Sequence, residues 1–312
     1  MKKIHQKDVH IISRHSNLTK DEVGRILKEN VYHNKEAWYT FFRYFLISLG
    51  VGFTVSGIVF FFAYNWADLH KFAKIGLTEG MLLATVVIVL LVKMNDQIRN
   101  IVLTGASVLV GVLFAVFGQI YQTGADAYDF FLAWTLFITL WVCVAHFAPL
   151  WLLYLVLINT TLLLYTQQVA QDWSVVFICF LLFSINTTVV IAATLLRKHA
   201  IPNWFLYIVS LASVSYATVG IILGIFDNYQ TVFPILLLMT TIVFVLGIRH
   251  GLKTESGFYL SMIPFSLIVI VSALLIKISD AGLMFLFVGL FVITSVMLTI
   301  KNLINLQKKW NK

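Results

Sequence analysis

The sequence alternates between long apolar runs and short polar interruptions. After a polar stretch over residues 1–43, apolar runs of about 20 residues recur to the end of the chain. About 20 residues rising 1.5 Å each cross the hydrocarbon core of a bilayer, so each run predicts a membrane-spanning helix. The pattern predicts ten spans: Tyr44–Tyr64, Phe72–Val92, Ile101–Tyr121, Phe130–Phe147, Leu150–Tyr165, Ser174–Leu196, Trp204–Phe226, Thr231–Ile248, Phe258–Ile276 and Ala281–Ile300.

Composition excludes the other fold classes. Of the 312 residues, 60% are hydrophobic and only 12% are charged, and the mean hydropathy is +0.91. Soluble domains are about 25% charged, and a soluble fold of this composition would leave too much apolar surface in water. We therefore predict an all-α, polytopic helical membrane protein of about ten transmembrane helices.

The join between the fourth and fifth spans is the least certain part of this count. Only Ala148 and Pro149 separate the two apolar runs. Residues 130–165 are therefore consistent either with a tight hairpin of two spans or with one broken element.

Positive charge predicts the orientation of the chain. Cytoplasmic loops carry an excess of Lys and Arg. With both termini inside, only Lys71, Lys74 and Lys277 of the 22 basic residues fall at the outer face. We therefore predict an N-in, C-in topology in a bacterial cytoplasmic membrane, with a cytoplasmic N-terminal segment (1–43), a membrane bundle (44–300) and a basic tail (301–312). The net charge of +8 then indicates contact with anionic lipids and no role in binding nucleic acid.

The polar N-terminal segment contains a helix signature. Thr19 followed by Glu22 is typical of a capping box, in which the two residues satisfy the first backbone amides of a helix. Apolar residues follow at helical spacing, and we expect Ile11 and Ile12 to pack against them in a small helical hairpin. Two roles stay open for this segment, a tether at the lipid headgroups and a docking site for a protein partner.

Stripes of small residues predict where the spans pack most closely. Gly52 with Ser56, and Gly220 with Gly224, each recur four residues apart and so lie on one helix face. They predict a compact bundle and indicate nothing about a substrate.

A polar group inside a span is a candidate functional residue, because it is expensive to hold there. Glu79 lies roughly 5 Å from the middle of the second span. A carboxylate at that depth must be protonated, paired or in contact with water. Two interpretations stay open, a carboxylate that couples proton or ion movement and a structural glutamate hydrogen-bonded to another helix.

The sequence contains no motif for soluble-enzyme chemistry. Phosphate-binding and dinucleotide-binding glycine patterns, the nucleophile elbow and the paired-histidine zinc motif are all absent. Cys143 and Cys179 lie singly in apolar runs, which favours buried thiols over metal ligands. We therefore predict no cofactor, no metal and no catalytic residue.

Three motifs carry a family resemblance. The segment 60–66 (FFFAYNW) closes the first span, 111–122 (GVLFAVFGQIYQ) ends the third, and 131–134 (FLAW) opens the fourth. With LTKDE at 18–22, they resemble the bacterial family of predicted membrane proteins called domain of unknown function 2157, over roughly residues 14–165. The resemblance implies a membrane location and architecture, and the family has no agreed activity. If its motifs mark a site, they implicate Asn65, Trp66, Gln119, Tyr121, Gln122 and Trp134.

These residues support one leading functional hypothesis. By the predicted topology most of them lie toward the outer face, where they would form an outward-facing polar pocket. We expect transport or sensing of a small solute or lipid headgroup through this pocket, with Glu79 as the coupling carboxylate. The alternative is a non-transporting membrane scaffold or partner-binding envelope component. An embedded enzyme ranks third, because no pair of convergent catalytic groups is found.

Overall fold

The computed structural model describes residues 6–16, 18–30, 35–65, 67–121, 124, 126–195, 201–227, 231–278 and 282–310. Within these ranges it has twelve helices and no strand: α1 (Gln6–Arg14), α2 (Lys20–Asn30), α3 (Lys35–Tyr64), α4 (Lys71–Leu91), α5 (Asp96–Tyr121), α6 (Ala127–Ala145), α7 (Ala148–Gln168), α8 (Val175–Leu195), α9 (Asn203–Phe226), α10 (Phe233–Lys253), α11 (Gly257–Ile278) and α12 (Gly282–Trp310). Ten of these, α3 to α12, are long and apolar enough to cross a membrane. The predicted all-α architecture and number of spans are confirmed.

The first and last membrane helices are longer than the apolar runs that predicted them. Helix α3 begins at Lys35, nine residues before the predicted span, and α12 continues to Trp310, ten residues past it. A helix satisfies its own backbone hydrogen bonds, so it continues through polar residues beyond the apolar part. Hydropathy therefore predicts the apolar part of each helix rather than its ends.

The join between the fourth and fifth spans is a tight connection between two helices. Helix α6 ends at Ala145, and His146 adopts the left-handed conformation (φ 46°) that closes it. Pro149 lies in the first turn of α7, where its missing N–H has no partner to lose. Ala148 and Pro149 therefore begin α7 and are not the linker, which corrects the predicted join. The Thr139 and Tyr154 hydroxyls, 3.1 Å apart, link the two helices.

The chain divides into two compact units, residues 1–120 and residues 121–312. At the N-terminus of the first unit, the capping box is confirmed. The backbone N–H and hydroxyl of Thr19 donate to Glu22 Oε2 at 2.8 and 2.9 Å, and the Glu22 N–H reaches Thr19 Oγ1 at 3.4 Å. These bonds fix where α2 begins.

The apolar residues that α1 buries differ from the predicted ones. Val9 and Leu27 are buried, whereas Ile11 and Ile12 are half exposed. Each helical residue turns about 100°, so Ile11 lies about 200° from Val9 and faces away from its side of the helix. Ile12 lies only about 60° from Val9 and is still half exposed, so Val9 takes the buried position predicted for Ile11 and Ile12.

Close packing in the first unit is concentrated on α5. Its buried residues include Gly105, Ser107 and Gly111, and a Cβ added at Gly105 would lie 2.5 Å from Val51 Cγ1 on α3. By contrast, Gly52 and Ser56 are exposed within this chain, so the stripe predicted there does not pack against another part of it. The contact that brings α3 close to α5 is thus made by Val51, the neighbour of Gly52.

The second unit has its core among α8, α9, α10 and α11. The largest cluster includes Phe183, Ala217, Ile221, Phe233 and Leu236, all buried. Helix α9 is central to this core, with half of its most apolar window buried, whereas the corresponding window of α12 has no buried residue. The position of α9 between its neighbours determines where a site can form in this unit.

The glycine stripe predicted on α9 is confirmed. A Cβ added at Gly220 would lie 2.7 Å from Cys179 Cβ and 2.8 Å from Leu236 Cδ2, and one added at Gly224 would overlap the ring of Phe233. At this level α9 therefore touches α8 and α10 with no room for any side chain on its near face.

Candidate functional site: a cavity among α8, α9, α10 and α11

A cavity of about 270 Å³ opens among α8, α9, α10 and α11. Fifteen residues line it, and nine of them are aliphatic, aromatic or glycine, including Val214, Phe244 and Ile263. The other six carry polar groups: Thr187, Thr194, Ser210, Ser213, His250 and Tyr259. An apolar wall with a few convergent polar groups is the usual composition of a small-molecule site, although this cavity is slightly smaller than the range of about 300–1,000 Å³ typical of such sites.

The cavity lies at the other end of α9 from the glycine stripe. Its α9 residues, Ser210, Ser213 and Val214, precede Gly220 by six to ten residues, or roughly 9–15 Å along the helix. At Gly220 and Gly224 the helices are in close contact, whereas at Ser210 they leave a space. The tight end of the bundle therefore positions the helices, and the open end holds the candidate site.

Two of the lining hydroxyls satisfy each other. Thr187 Oγ1 on α8 and Ser213 Oγ on α9 are 2.7 Å apart, and both residues are buried. One turn away on α9, the hydroxyl of Ser210 is also buried, at 5% exposure, yet it has no hydrogen-bond partner within the described residues. An unbonded hydroxyl in an apolar interior is costly, so Ser210 is unusual in this wall.

An aromatic group completes the polar side of the cavity. The Tyr259 side chain lines the same wall as Ser210, and the two hydroxyls lie near each other without meeting the geometry of a hydrogen bond. The ring of His250 packs edge-on against Tyr259, with 5.4 Å between the ring centroids. Tyr207 and Phe258 stack on each other, and both rings pack edge-on against Tyr259. The ring centroids of Tyr207 and Phe258 lie 5.8 Å and 5.5 Å from that of Tyr259. Contacts between aromatic rings thus fix the positions of the Tyr259 and His250 side chains.

The cavity reaches the surface between α8 and α10. Ile191 and Leu246 line it, and they are 45% and 54% exposed. Both of these exposed side chains are apolar, as are Leu195 and Val245 beside them, whereas Thr188 and Arg249, also exposed, lie three residues away on the same two helices. The cavity therefore opens to the surface past two apolar side chains.

A buried amide pair lies beside the cavity, with Asn186 about 100° around α8 from the lining residue Thr187. Asn186 Nδ2 donates to Asn159 Oδ1 at 2.8 Å, and Asn159 Nδ2 points back to Asn186 Oδ1 at 3.5 Å. Each amide also donates to the backbone carbonyl four residues earlier. This pair joins α7 to α8 and fixes the helix that carries Thr187.

Glu79 belongs to the first unit and is not among the residues that line this cavity. Helix α4 buries a face formed by Lys74, Thr78 and Leu82, and Glu79 lies about 100° from Thr78 around the helix. Its side chain is exposed and forms no ion pair among the described residues. Both interpretations of Glu79, as a coupling or a structural carboxylate, stay predictions.

None of the other predicted site residues lines the cavity. The Asn65 amide donates to the Phe61 carbonyl on its own helix, at 2.9 Å, and Gln119 and Tyr121 are exposed near the end of α5. Trp134 stacks on Phe131 within α6. Trp66 and Gln122 lie outside the described residues. The outward-facing pocket of these six residues stays a prediction.

Sequence reasoning missed the cavity residues for a physical reason. Serine and threonine are common in membrane helices, where most of them bond to the carbonyl one turn earlier. Thr218, Ser184 and Ser272 do this, at 2.6–2.7 Å. Only tertiary structure distinguishes Ser210 from them. The spacing of Ser210 and Ser213 on one face of α9 was the signal available in the sequence.

Fold and composition together define a multi-pass α-helical membrane protein. The family model described as predicted membrane protein (DUF2157) matches residues 15–151, which confirms the family resemblance over that segment. The match ends near the start of α7 and so includes none of the cavity residues. No curated protein and no solved structure matches the chain.

Proposed function

We propose that the protein binds a small molecule inside its membrane-spanning bundle and senses or transports it. The cavity among α8, α9, α10 and α11 carries this proposal, because it combines an apolar wall, a buried unbonded hydroxyl and an opening to the surface. A purely structural bundle would gain stability by filling such a space, since interiors are otherwise close-packed.

The predicted orientation gives the cavity a direction. The ends of α8 and α10 that form it adjoin Arg197, Arg249 and Lys253, which the N-in, C-in topology assigns to the cytoplasmic side of a bacterial inner membrane. The cavity would then open in the inner half of the bilayer, whereas the pocket predicted from the family motifs would open outward. Glu79, on an apolar helix, is the group we propose to couple a transport step.

Binding is tested by closing the mouth of the cavity. Ile191→Trp places an indole at the rim, and Leu195→Trp, one turn further along α8 and outside the cavity, is the matched control. We expect small molecules extracted from purified protein, identified by mass spectrometry, to be retained by the wild type and by Leu195→Trp and lost from Ile191→Trp. Equal content in all three proteins would favour the alternative, a membrane scaffold.

Coupling is tested at Glu79. We expect Glu79→Gln, which removes the charge and keeps the shape, to abolish uptake of the extracted molecule into proteoliposomes driven by a pH gradient. Binding of that molecule should persist, because Glu79 does not line the cavity. Unchanged uptake in the variant would remove Glu79 from the proposal and leave the binding function in place.

A further inference from the structure

The chemistry of the cavity wall restricts what can bind there. None of the fifteen lining residues is Asp, Glu, Lys or Arg. A charged group placed in this wall would find no fixed counter-charge, and an unpaired charge in an apolar site is strongly disfavoured. The wall therefore selects an uncharged molecule.

The unbonded hydroxyl identifies the polar atom that such a molecule must carry. Ser210 Oγ is buried and unbonded, and the Tyr259 phenol lies nearby on the same wall. Both hydroxyls can donate, and a carbonyl or hydroxyl oxygen has two lone pairs to accept them. One ligand oxygen placed between Ser210 and Tyr259 would satisfy both groups.

The remaining wall and the rim describe the rest of the ligand. Val214, Phe244 and Ile263 form one packed apolar cluster beside the hydroxyls. The two exposed lining side chains at the mouth, Ile191 and Leu246, are apolar as well, which suits entry of a molecule dissolved in lipid. The volume of about 270 Å³ suits a single substituted ring or a short chain.

We infer that the cavity binds a neutral, lipid-soluble molecule through a carbonyl or hydroxyl oxygen held by Ser210 and Tyr259. This inference rests on the proposed binding function and adds the chemical class of the ligand. Two sources supply this chemistry in a membrane, ring carbonyls such as those of quinones and chain alcohols such as those of neutral lipids.

The experiment compares ligands that differ only in oxygen or in charge. Duroquinone, a tetramethylated ring with two carbonyl oxygens, is paired with durene, the same tetramethylated ring without oxygen. Octan-1-ol is paired with octanoate, which adds charge. Binding is measured by equilibrium dialysis against full-length protein in detergent micelles, with empty micelles subtracted.

Two variants and one control separate the contribution of each hydroxyl to ligand binding. Ser210→Ala removes a hydroxyl that has no hydrogen-bond partner among the described residues, so it leaves none of their groups unsatisfied and should fold normally. Thr240→Val is the matched control, because Thr240 is also buried and unbonded but lies outside the cavity. Tyr259→Phe keeps the ring contacts and removes the second hydroxyl.

We expect Ser210→Ala and Tyr259→Phe each to weaken binding of one oxygen-bearing ligand by about two- to tenfold, the worth of one hydrogen bond. Whichever of duroquinone and octan-1-ol binds more strongly then identifies the source of the ligand, quinone-like rings or chain alcohols. Durene binding should not change in either variant, and Thr240→Val should behave as the wild type does with every ligand. Octanoate should bind more weakly than octan-1-ol.

Three results would overturn the inference. Ser210→Ala could leave the binding of both duroquinone and octan-1-ol unchanged, or it could weaken durene binding as much as it weakens binding of the oxygen-bearing ligands. The third result is stronger binding of octanoate than of octan-1-ol. The Ile191→Trp variant separates these from failure of the proposed function. If it abolishes durene binding while Ser210→Ala changes nothing, the cavity is a binding site and the ligand class is wrong. If Ile191→Trp leaves the binding of every ligand unchanged, both the proposed site and its ligand class are wrong.

Discussion

Helices α3 and α9, one from residues 1–120 and one from residues 121–312, have nearly the same hydropathy and are buried to very different extents. The candidate spans of the first unit have mean hydropathies of 1.9–2.4, and those of the second unit 1.7–2.5. Yet half of the apolar window of α9 is buried, against 6% of that of α3. Hydropathy reports only whether a helix can leave water, because lipid and protein interior are equally apolar. Small residues and polar pairs decide where helices meet.

The polar residues of the two units differ in the same way. Glu79 and Gln119 in the first unit are exposed, whereas Asn159, Asn186 and Thr187 in the second are buried and bonded across helices. The family match covers most of the first unit and ends before the buried amides. The recognisable motifs and the buried amide pair therefore occupy different parts of the chain, and a functional site need not coincide with the motifs.

The largest expected effect contrasts a glycine from each unit. Gly220→Leu forces a side chain against Cys179 Cβ and Leu236, and we expect a loss of about 3 kcal/mol or more in the free energy of unfolding, at the upper end of overpacking. A Cβ added at Gly52 would meet no atom within 4 Å, so Gly52→Leu should be neutral or slightly stabilising. Unfolding in detergent micelles with increasing sodium dodecyl sulfate measures both. Equal losses would mean that both glycines lie at helix contacts.

The two glycine stripes also show how far sequence carries the fold. Both stripes have the same spacing, yet one packs and the other does not, because packing depends on what faces a residue and not on its own size. Helix number and the capping box followed from local patterns, and the structure confirms them. The cavity did not follow from local patterns. It depends on the Ser210 hydroxyl, which lacks the usual hydrogen bond to a backbone carbonyl, and only the positions of the four helices reveal this.

An intermediate effect is expected at the buried amides. Asn186→Leu leaves Asn159 without its partner and should cost about 1–2 kcal/mol in the free energy of unfolding. The double variant Asn159→Leu with Asn186→Leu should recover most of that loss, because neither amide is then left alone. Glu79→Gln, at an exposed site in the first unit, should change stability by less than about 0.5 kcal/mol. The same unfolding titration is applied to the two single variants and to the double variant, which completes a double-mutant cycle. Losses of unfolding free energy that simply add would show that the two amides do not interact.

The smallest effect is expected at the start of α2 and depends on pH. Hydrogen bonds from the Thr19 backbone and then from its hydroxyl hold the pKa of the Glu22 carboxyl below its ordinary value of 4.5. A lowered pKa stabilises the folded segment above the ordinary value, and this contribution is lost as the pH falls through the folded pKa. We expect hydrogen exchange over residues 18–30 of the full chain to be slower in the wild type than in Glu22→Ala at about pH 7, with the ratio falling toward that of Glu22→Gln as the pH is lowered to about 3. Glu22→Gln keeps an acceptor without a charge, so its ratio to Glu22→Ala should not vary with pH. A wild-type ratio that is constant across this range would show that the charge of Glu22 contributes nothing to the cap.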